Sequence, residues 1–137
     1  AVKYYRAESD HHRDNARLFW DWGIPTVCSL VESGPFFDNV IASGGVRNGM
    51  HVVKSLVLGA TCAGLAQPFL EAVYNRPSKE SDPIFEKLIH EIRTTMFLVG
   101  ARDVGELKER PVVFLGSTKE YLEQRGVDLS GFAQRGF

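Results

Sequence analysis

The apolar positions of this chain fall into short runs punctuated by glycine and proline, and the period of the runs changes along the sequence. Asn39-Val40-Ile41 lead into Ala42-Ser43-Gly44-Gly45-Val46-Arg47-Asn48-Gly49, a helically periodic stretch runs from Met50 to Leu58, and Gly59 stops it. Thr61-Cys62-Ala63 then lead into Gly64-Leu65-Ala66-Gln67-Pro68. That order predicts strand (38–43), glycine turn, helix (50–58), strand (60–66) and turn: a βαβ unit. Ahead of it, residues 1–22 predict a helix with an apolar end at Phe19, Trp20 and Trp22, the two indoles packed in a core. Gly23-Ile24-Pro25 resets the chain. Thr26 to Val31, β-branched and mostly apolar, predicts a strand buried on both faces.

Phe69 to Tyr74 opens a further helix, broken at Asn75-Arg76-Pro77-Ser78. Asp82 is placed as an N-cap with Pro83 at the first helical position. Ile84, Leu88 and Ile92, with Phe85 and Ile89 beside them, form the apolar stripe of the next helix, which Gly100 ends. Asp103 with Glu106, and Ser117 with Glu120, are candidate capping boxes. Pro111 to Leu115 predicts a short extended piece, and Ser117 to Arg125 a last helix stopped by Gly126.

Strands alternating with helices imply a parallel sheet. About three strands alone would leave two bare edges, and a (β/α)8 barrel takes about 250 residues. The predicted fold class is therefore α/β: the C-terminal part of a TIM (β/α)8 barrel over about 1–75, with a C-terminal helical extension over about 82–137, all in one domain. The first strand, TVCSLV, carries no charge or proline to blunt its edge. The chain is expected to pair with the N-terminal part of the same barrel or to self-associate.

The bulk numbers exclude several classes. The 137 residues are 44% hydrophobic and 24% charged, a globular composition. A net charge of −1 argues against a broad nucleic-acid surface. No apolar run approaches the roughly 20 residues that span a bilayer, so no membrane role is expected. The N-terminal residues show no signal-peptide h-region. Cys28 and Cys62 lie in apolar contexts and read as reduced core residues of a cytoplasmic protein.

Candidate chemistry concentrates in the two glycine-containing segments. Each leaves a strand and opens onto a helix, where free N–H groups and the helix dipole favour an anion. Glycine lets a phosphate approach the backbone without an intervening Cβ. Gly44 and Gly45 also fit a plain tight turn. Arg47 reads either as a solvated charge or as an anion contact, since a helix N-terminus disfavours an unpaired cation. His11 and His12 are adjacent, so they do not face one way on a helix, and they read as solvated. His51 and His90 read as surface or satisfied core groups. Glu32 reads equally as a site group or as a structural ion pair. Phe36 and Phe37 lie in a loop and are expected to pack in the core, with cover for an interface or a ligand's apolar edge as the alternative.

Phe19-Trp20-Asp21-Trp22-Gly23-Ile24-Pro25-Thr26, Ile41 to Gly49, Gly59-Ala60, Ala66-Gln67-Pro68-Phe69-Leu70 and Glu91 to Ala101 together resemble type 2 isopentenyl-diphosphate isomerases, over nearly the whole chain. The glycine loop alone is only moderately specific, because many FMN barrels share a phosphate site in their last two strand loops. The resemblance implies an FMN-dependent TIM barrel that interconverts isopentenyl diphosphate and dimethylallyl diphosphate. It implies NADPH to reduce the flavin, Mg²⁺ for the substrate diphosphate, and a homo-oligomer, a tetramer or octamer. It places the flavin phosphate at Gly44, Gly45, Val46 and Arg47 and at Ala66 and Gln67. Position 67 is more often apolar in the family, but a backbone contact tolerates Gln. The substrate-facing Gln, the Mg²⁺-binding Glu, the flavin-contacting Lys and the GGT motif of the family fall before Ala1, so no catalytic or metal-binding residue is assigned within this chain. The alternatives are another FMN barrel, such as a hydroxy-acid oxidase, and a non-catalytic phosphate-binding half-barrel. An oxidase would be expected to carry a His between Gly23 and Met50, and none is present there.

Overall fold

The computed structural model describes residues 8–75 and 82–136. In chain order the elements are α1 (Asp10–Leu18), α2 (Thr26–Ser33), a 3₁₀ turn (Gly34–Phe36), β1 (Ile41–Ala42), α3 (Gly49–Val57), β2 (Cys62–Ala63), α4 (Gln67–Asn75), α5 (Asp82–Leu98), α6 (Val104–Lys108), α7 (Gly116–Gln124) and α8 (Ser130–Ala133). The βαβ unit is present. β1 and β2 pair in parallel, Ile41 opposite Cys62 and Ala42 opposite Ala63, with α3 as the crossover. Thr61 N–H to Val40 O and Gly64 N–H to Ala42 O, both 2.8 Å, extend the ladder by one bond at each end.

The strand expected at Thr26 to Val31 is instead a helix, and the sheet among the described residues has two strands rather than three. The physical reason lies in the polar positions. Thr26, Ser29 and Glu32-Ser33 recur every three to four residues and stay at least partly accessible, while Cys28, Leu30 and Val31 are buried. A strand would have turned Thr26, Cys28 and Leu30 to one face. Pro25 precedes the first turn with φ −58°, and its carbonyl accepts the Ser29 N–H at 3.0 Å. With no strand there, the argument from a bare TVCSLV edge falls.

α3 is the centre of the packing. It lies against β2, α5 and α6, and Val53, Val57 and Leu58 join Cys28, Leu30, Val31, Leu107, Phe114 and Leu122 in one core. The tail helices thus share the core of the βαβ unit. Phe114 and Phe132 meet edge to face at 5.4 Å, and Arg135 stacks on Phe132 while donating to Val57 O at 2.7 Å. Gly59, Gly100 and Gly126, where chain breaks were expected, all take positive φ just past α3, α5 and α7.

Three other expectations change. Trp20 and Trp22 are exposed, as are Phe36 and Phe37, rather than packed in the core. Cys62 is exposed, whereas Cys28 is buried and free. Burial pushes the Cys28 thiol up, and the Glu32 carboxylate pushes it the same way, which keeps it an unreactive thiol. The Ser117 box does not form: α7 begins at Gly116 after Leu115, with no side-chain cap. The side chain of Asp82 and the break at residues 76–78 lie outside the described residues.

Half of the Asp103 box forms. Asp103 Oδ1 accepts the Glu106 N–H at 2.9 Å, but Glu106 turns to Arg102, taking its backbone N–H at 2.9 Å and its guanidinium. The Arg102 side chain first, then its N–H, with Arg110 adding charge, hold the Glu106 carboxyl at about 2, below the usual ~4.3. A depressed carboxyl stabilises the fold above its unfolded-state value, and that stabilisation is lost as pH falls from about 4.3 through about 2. Arg102→Ala is therefore expected to flatten the acid limb of a denaturant-midpoint series taken from about pH 5 to 2. An unchanged limb would show that the pair contributes nothing.

Candidate anion-binding site at the strand ends

Because β1 and β2 are parallel, both chain segments leave the sheet at the same edge. The structure thus brings together Gly44-Gly45-Val46-Arg47 and Ala66-Gln67. The loops also touch: a Cβ on Gly64 would lie 3.5 Å from Ser43 Oγ.

Four anchors fix the glycine loop. Gly44 and Gly45 take φ +99° and +77°, a consecutive left-handed pair that turns the chain away from β1. The Thr26 hydroxyl, at the start of α2, donates to Gly44 O at 2.7 Å. Val46 is buried and pegs the loop to the core. The Arg47 N–H donates to Nδ1 of His51 at 3.3 Å, so His51 is a satisfied structural group. A cavity of about 180 Å³ lies among the loop, α2 and α3, lined by Gly44, Gly45 and Val46 together with Val27, Leu30 and Leu58.

The first turn of α3 differs from expectation. Two of its donors are already taken within the protein: Asn48 Oδ1 accepts His51 N–H at 2.9 Å, and Glu91 Oε2, from α5, accepts Gly49 N–H at 2.7 Å. Further donors belong to the loop. Among the described residues no acceptor takes the N–H of Gly44, Gly45 or Val46. On the second segment Gly64 N–H is used by the ladder, while Leu65, Ala66 and Gln67 N–H, at the open N-terminus of α4, find no acceptor among the described residues. Gln67 Nε2 donates to Glu71 Oε1 at 2.8 Å, so the side chain folds along α4 and leaves its backbone N–H clear. Above Gly45 there is no heavy atom within 4 Å of where a Cβ would stand. Six backbone amides without an acceptor among the described residues thus lie on two segments that leave the same end of the sheet and touch at Ser43 and Gly64, a donor set that suits a phosphate or another tetrahedral anion.

Arg47 is exposed and makes no ion pair among the described residues. Glu32 lies elsewhere. It pairs with Arg125 at 2.7 Å and accepts from the Tyr121 hydroxyl at 3.4 Å, tying α2 to α7 as a structural ion pair. His11, His12 and His90 are exposed. Two residues that shape the site were not legible in advance. Thr26 opens a run whose sequence favours a strand, and Glu91 lies 42 positions from the amide it binds. Removing the Thr26 hydroxyl should loosen the loop. Thr26→Ala is expected to cost about 1 kcal/mol of stability, and Thr26→Ser to restore most of it. Equal losses in the two variants would assign the effect to the lost methyl packing.

Residues 24–113 match the family described as FMN-dependent dehydrogenase. The chain is similar to the isopentenyl-diphosphate delta-isomerase of Thermococcus onnurineus (strain NA1), 46% identical over 129 residues, covering 93% of this chain and 34% of that protein. It is 44% identical over 132 residues to the enzyme of that name from Thermococcus kodakarensis, covering 96% and 35%. With that from Pyrococcus furiosus it shares 42% over 136 residues, covering 98% and 34%. The chain thus spans about a third of the length of these curated relatives. Among solved structures it resembles a flavocytochrome b2 mutant with bound benzoylformate, with a TM-score of 0.54 and 28% identity, covering 79% of this chain and 31% of that one. A second flavocytochrome b2 mutant, an Arg-to-Lys variant, matches with a TM-score of 0.51 at the same 28%, covering 74% and 30%. These matches indicate a fold of the TIM-barrel flavoenzyme type. By its sequence, matched over residues 24–113, the chain belongs to the FMN-dependent dehydrogenase family.

Proposed function

We propose that this chain supplies the flavin-phosphate site of an FMN-dependent isopentenyl-diphosphate isomerase, as the C-terminal part of its TIM barrel. The observation that carries the reading is the set of amides without an acceptor among the described residues on two parallel strand ends. The isomerase names of the relatives at 42–46% identity support the reaction class.

The residues fit FMN on the structure's own terms. The backbone at Gly45 faces open space, and the amides of Gly44, Gly45, Val46, Ala66 and Gln67 would hold the phosphate. Arg47, exposed beside the loop, would add a charge-assisted contact. When bound and reduced, FMN supplies acid–base and electrostatic assistance to moving a proton across an allylic unit. The part of this chain is to bind and orient: amides fixed by Thr26, Val46, His51 and Glu91 need no reorganisation to meet the dianion. NADPH as reductant, Mg²⁺ on the substrate diphosphate, a cytoplasmic location and a tetrameric or octameric assembly belong to the same proposal. In this proposal the Mg²⁺ ligand comes from other barrel segments, as the family resemblance implies.

The rest of the barrel has a place to dock. β1 pairs on one side only among the described residues, and a groove of about 290 Å³ lies between β1 and α2, lined by Ile24, Leu30 and Ile41 among others. Ile24 and Ile41 are both largely exposed there. An incoming strand would satisfy the free edge and cover both.

The test is turnover by the intact protein. With isopentenyl diphosphate, Mg²⁺ and reduced FMN, dimethylallyl diphosphate should form, and omission of FMN should abolish it. Oxidation of a 2-hydroxy acid in place of isomerisation would select the oxidoreductase alternative. Phosphate binding without either activity would select the non-catalytic one.

A further inference from the structure

We propose that Glu91 is a positioning residue for the phosphate-binding loop. From α5 it would hold the first amide of α3, and through it the register in which Gly44 to Arg47 present their N–H groups. The inference rests on the reading of that loop as the flavin-phosphate site.

The contact is built into the helix crossing. Gly49, the first residue of α3, lies against the α5 backbone so closely that a Cβ would fall 2.7 Å from Ile92 N and 2.9 Å from Leu88 O. That approach delivers Glu91 Oε2 to the Gly49 N–H at 2.7 Å. The carboxylate is 29% exposed, and its other oxygen is only loosely engaged by Lys87, at 3.8 Å. An anion on the positive end of a helix, partly shielded from water, is a favourable and well-directed contact.

Its consequence reaches the loop. Two residues separate Gly49 from Val46, and within them Arg47 is tied to His51 and Asn48 caps α3. Thr26 fixes the strand side of the loop and Glu91 fixes the helix side. Glu91 also occupies the Gly49 amide, the helix donor nearest the loop. This keeps the anion on the loop amides, displaced toward Ala66 and Gln67. Without Glu91 the helix side is free to drift, and the phosphate loses alignment with at least one amide.

The test compares FMN with riboflavin, which lacks the phosphate, in the intact protein. Glu91→Ala is expected to weaken FMN binding about tenfold, the loss for one misaligned charge-assisted contact, and to leave riboflavin affinity within about twofold. Glu91→Gln keeps an acceptor for the Gly49 N–H and should return FMN affinity to within about threefold of wild type. A purely structural role would move both flavins together, and that result overturns the proposal. So does a Glu91→Gln variant as impaired as Glu91→Ala, because charge rather than position would then be acting. If Glu91→Ala does not fold, Glu91→Asp, one methylene shorter, is held to the same FMN-to-riboflavin criterion. A wild-type protein that binds the two flavins equally overturns the phosphate-site reading, and this inference with it. A wild-type preference for FMN that survives Glu91→Ala overturns this inference alone.

Discussion

Gly49→Ala is expected to destabilise the protein by about 3 kcal/mol, seen as a lower denaturant midpoint at unchanged slope. Two effects of opposite sign compete. Alanine at a helix position ordinarily gains about 1 kcal/mol over glycine. Here the new Cβ would lie 2.5 Å from Glu91 Cβ, 2.7 Å from Ile92 N and 2.9 Å from Leu88 O. Two of those three atoms are α5 backbone, which no rotamer change can move. α3 must therefore shift away from α5, breaking the Gly49–Glu91 bond and opening the core at Val53 and Val57. Overpacking typically costs 1–3 kcal/mol, more where backbone is involved, so sterics outweigh propensity. Gly131 in α8 is the control: it has open space around the Cβ position and an ordinary φ, so Gly131→Ala should be neutral or mildly stabilising. A neutral Gly49→Ala would mean that the two helices do not cross in contact at this residue.

That crossing marks the boundary of what the sequence could disclose. The βαβ unit was legible because its signals are local: apolar residues entering Gly44, a helical period over 50–58, and Gly59 as a stop. Parallel pairing then put both loops at one edge, as the reading required. Thr26 to Val31 suggests a strand because a short apolar, β-branched run fits a buried strand and a buried helix equally well. The threefold spacing of Thr26, Ser29 and Glu32 and the preceding Pro25 carried the distinction. Composition obscured it. Trp20 and Trp22, the apolar end of the first helix, suggest a core, yet in this structure both are exposed, as Ile24 and Ile41 are along the β1 groove. The Glu91 contact was beyond reach for another reason. It joins residues 42 positions apart, through a helix pair whose approach depends on the absence of one methyl group. Nothing local to Glu91 marks it, and a charged residue in a helix reads as a solvated face.

Substitution of Gly45 is expected to have the largest effect on flavin binding, about a hundredfold loss of FMN affinity in the intact protein. The magnitude follows from losing two charge-assisted amide contacts at about 1.5 kcal/mol each. Valine is the severe form of the change but a poor diagnostic. Gly45 has φ +77°, and a β-branched residue there is strained whatever the surrounding space, so folding suffers too. Asparagine separates the two effects. It enters the left-handed region at little cost, and no heavy atom stands within 4 Å of its Cβ position, so stability should be nearly unchanged. Its side chain would still rise into the open space over the Gly44, Gly45 and Val46 amides, where the phosphate belongs. Gly45→Asn should therefore keep the wild-type unfolding midpoint and the wild-type riboflavin affinity while FMN affinity collapses. If FMN and riboflavin weaken together, Gly45 acts on the isoalloxazine or on the fold and not on the phosphate. If FMN affinity is untouched in a folded Gly45→Asn protein, the anion does not occupy this loop, and the assignment of Gly44 to Arg47 as the phosphate site is wrong.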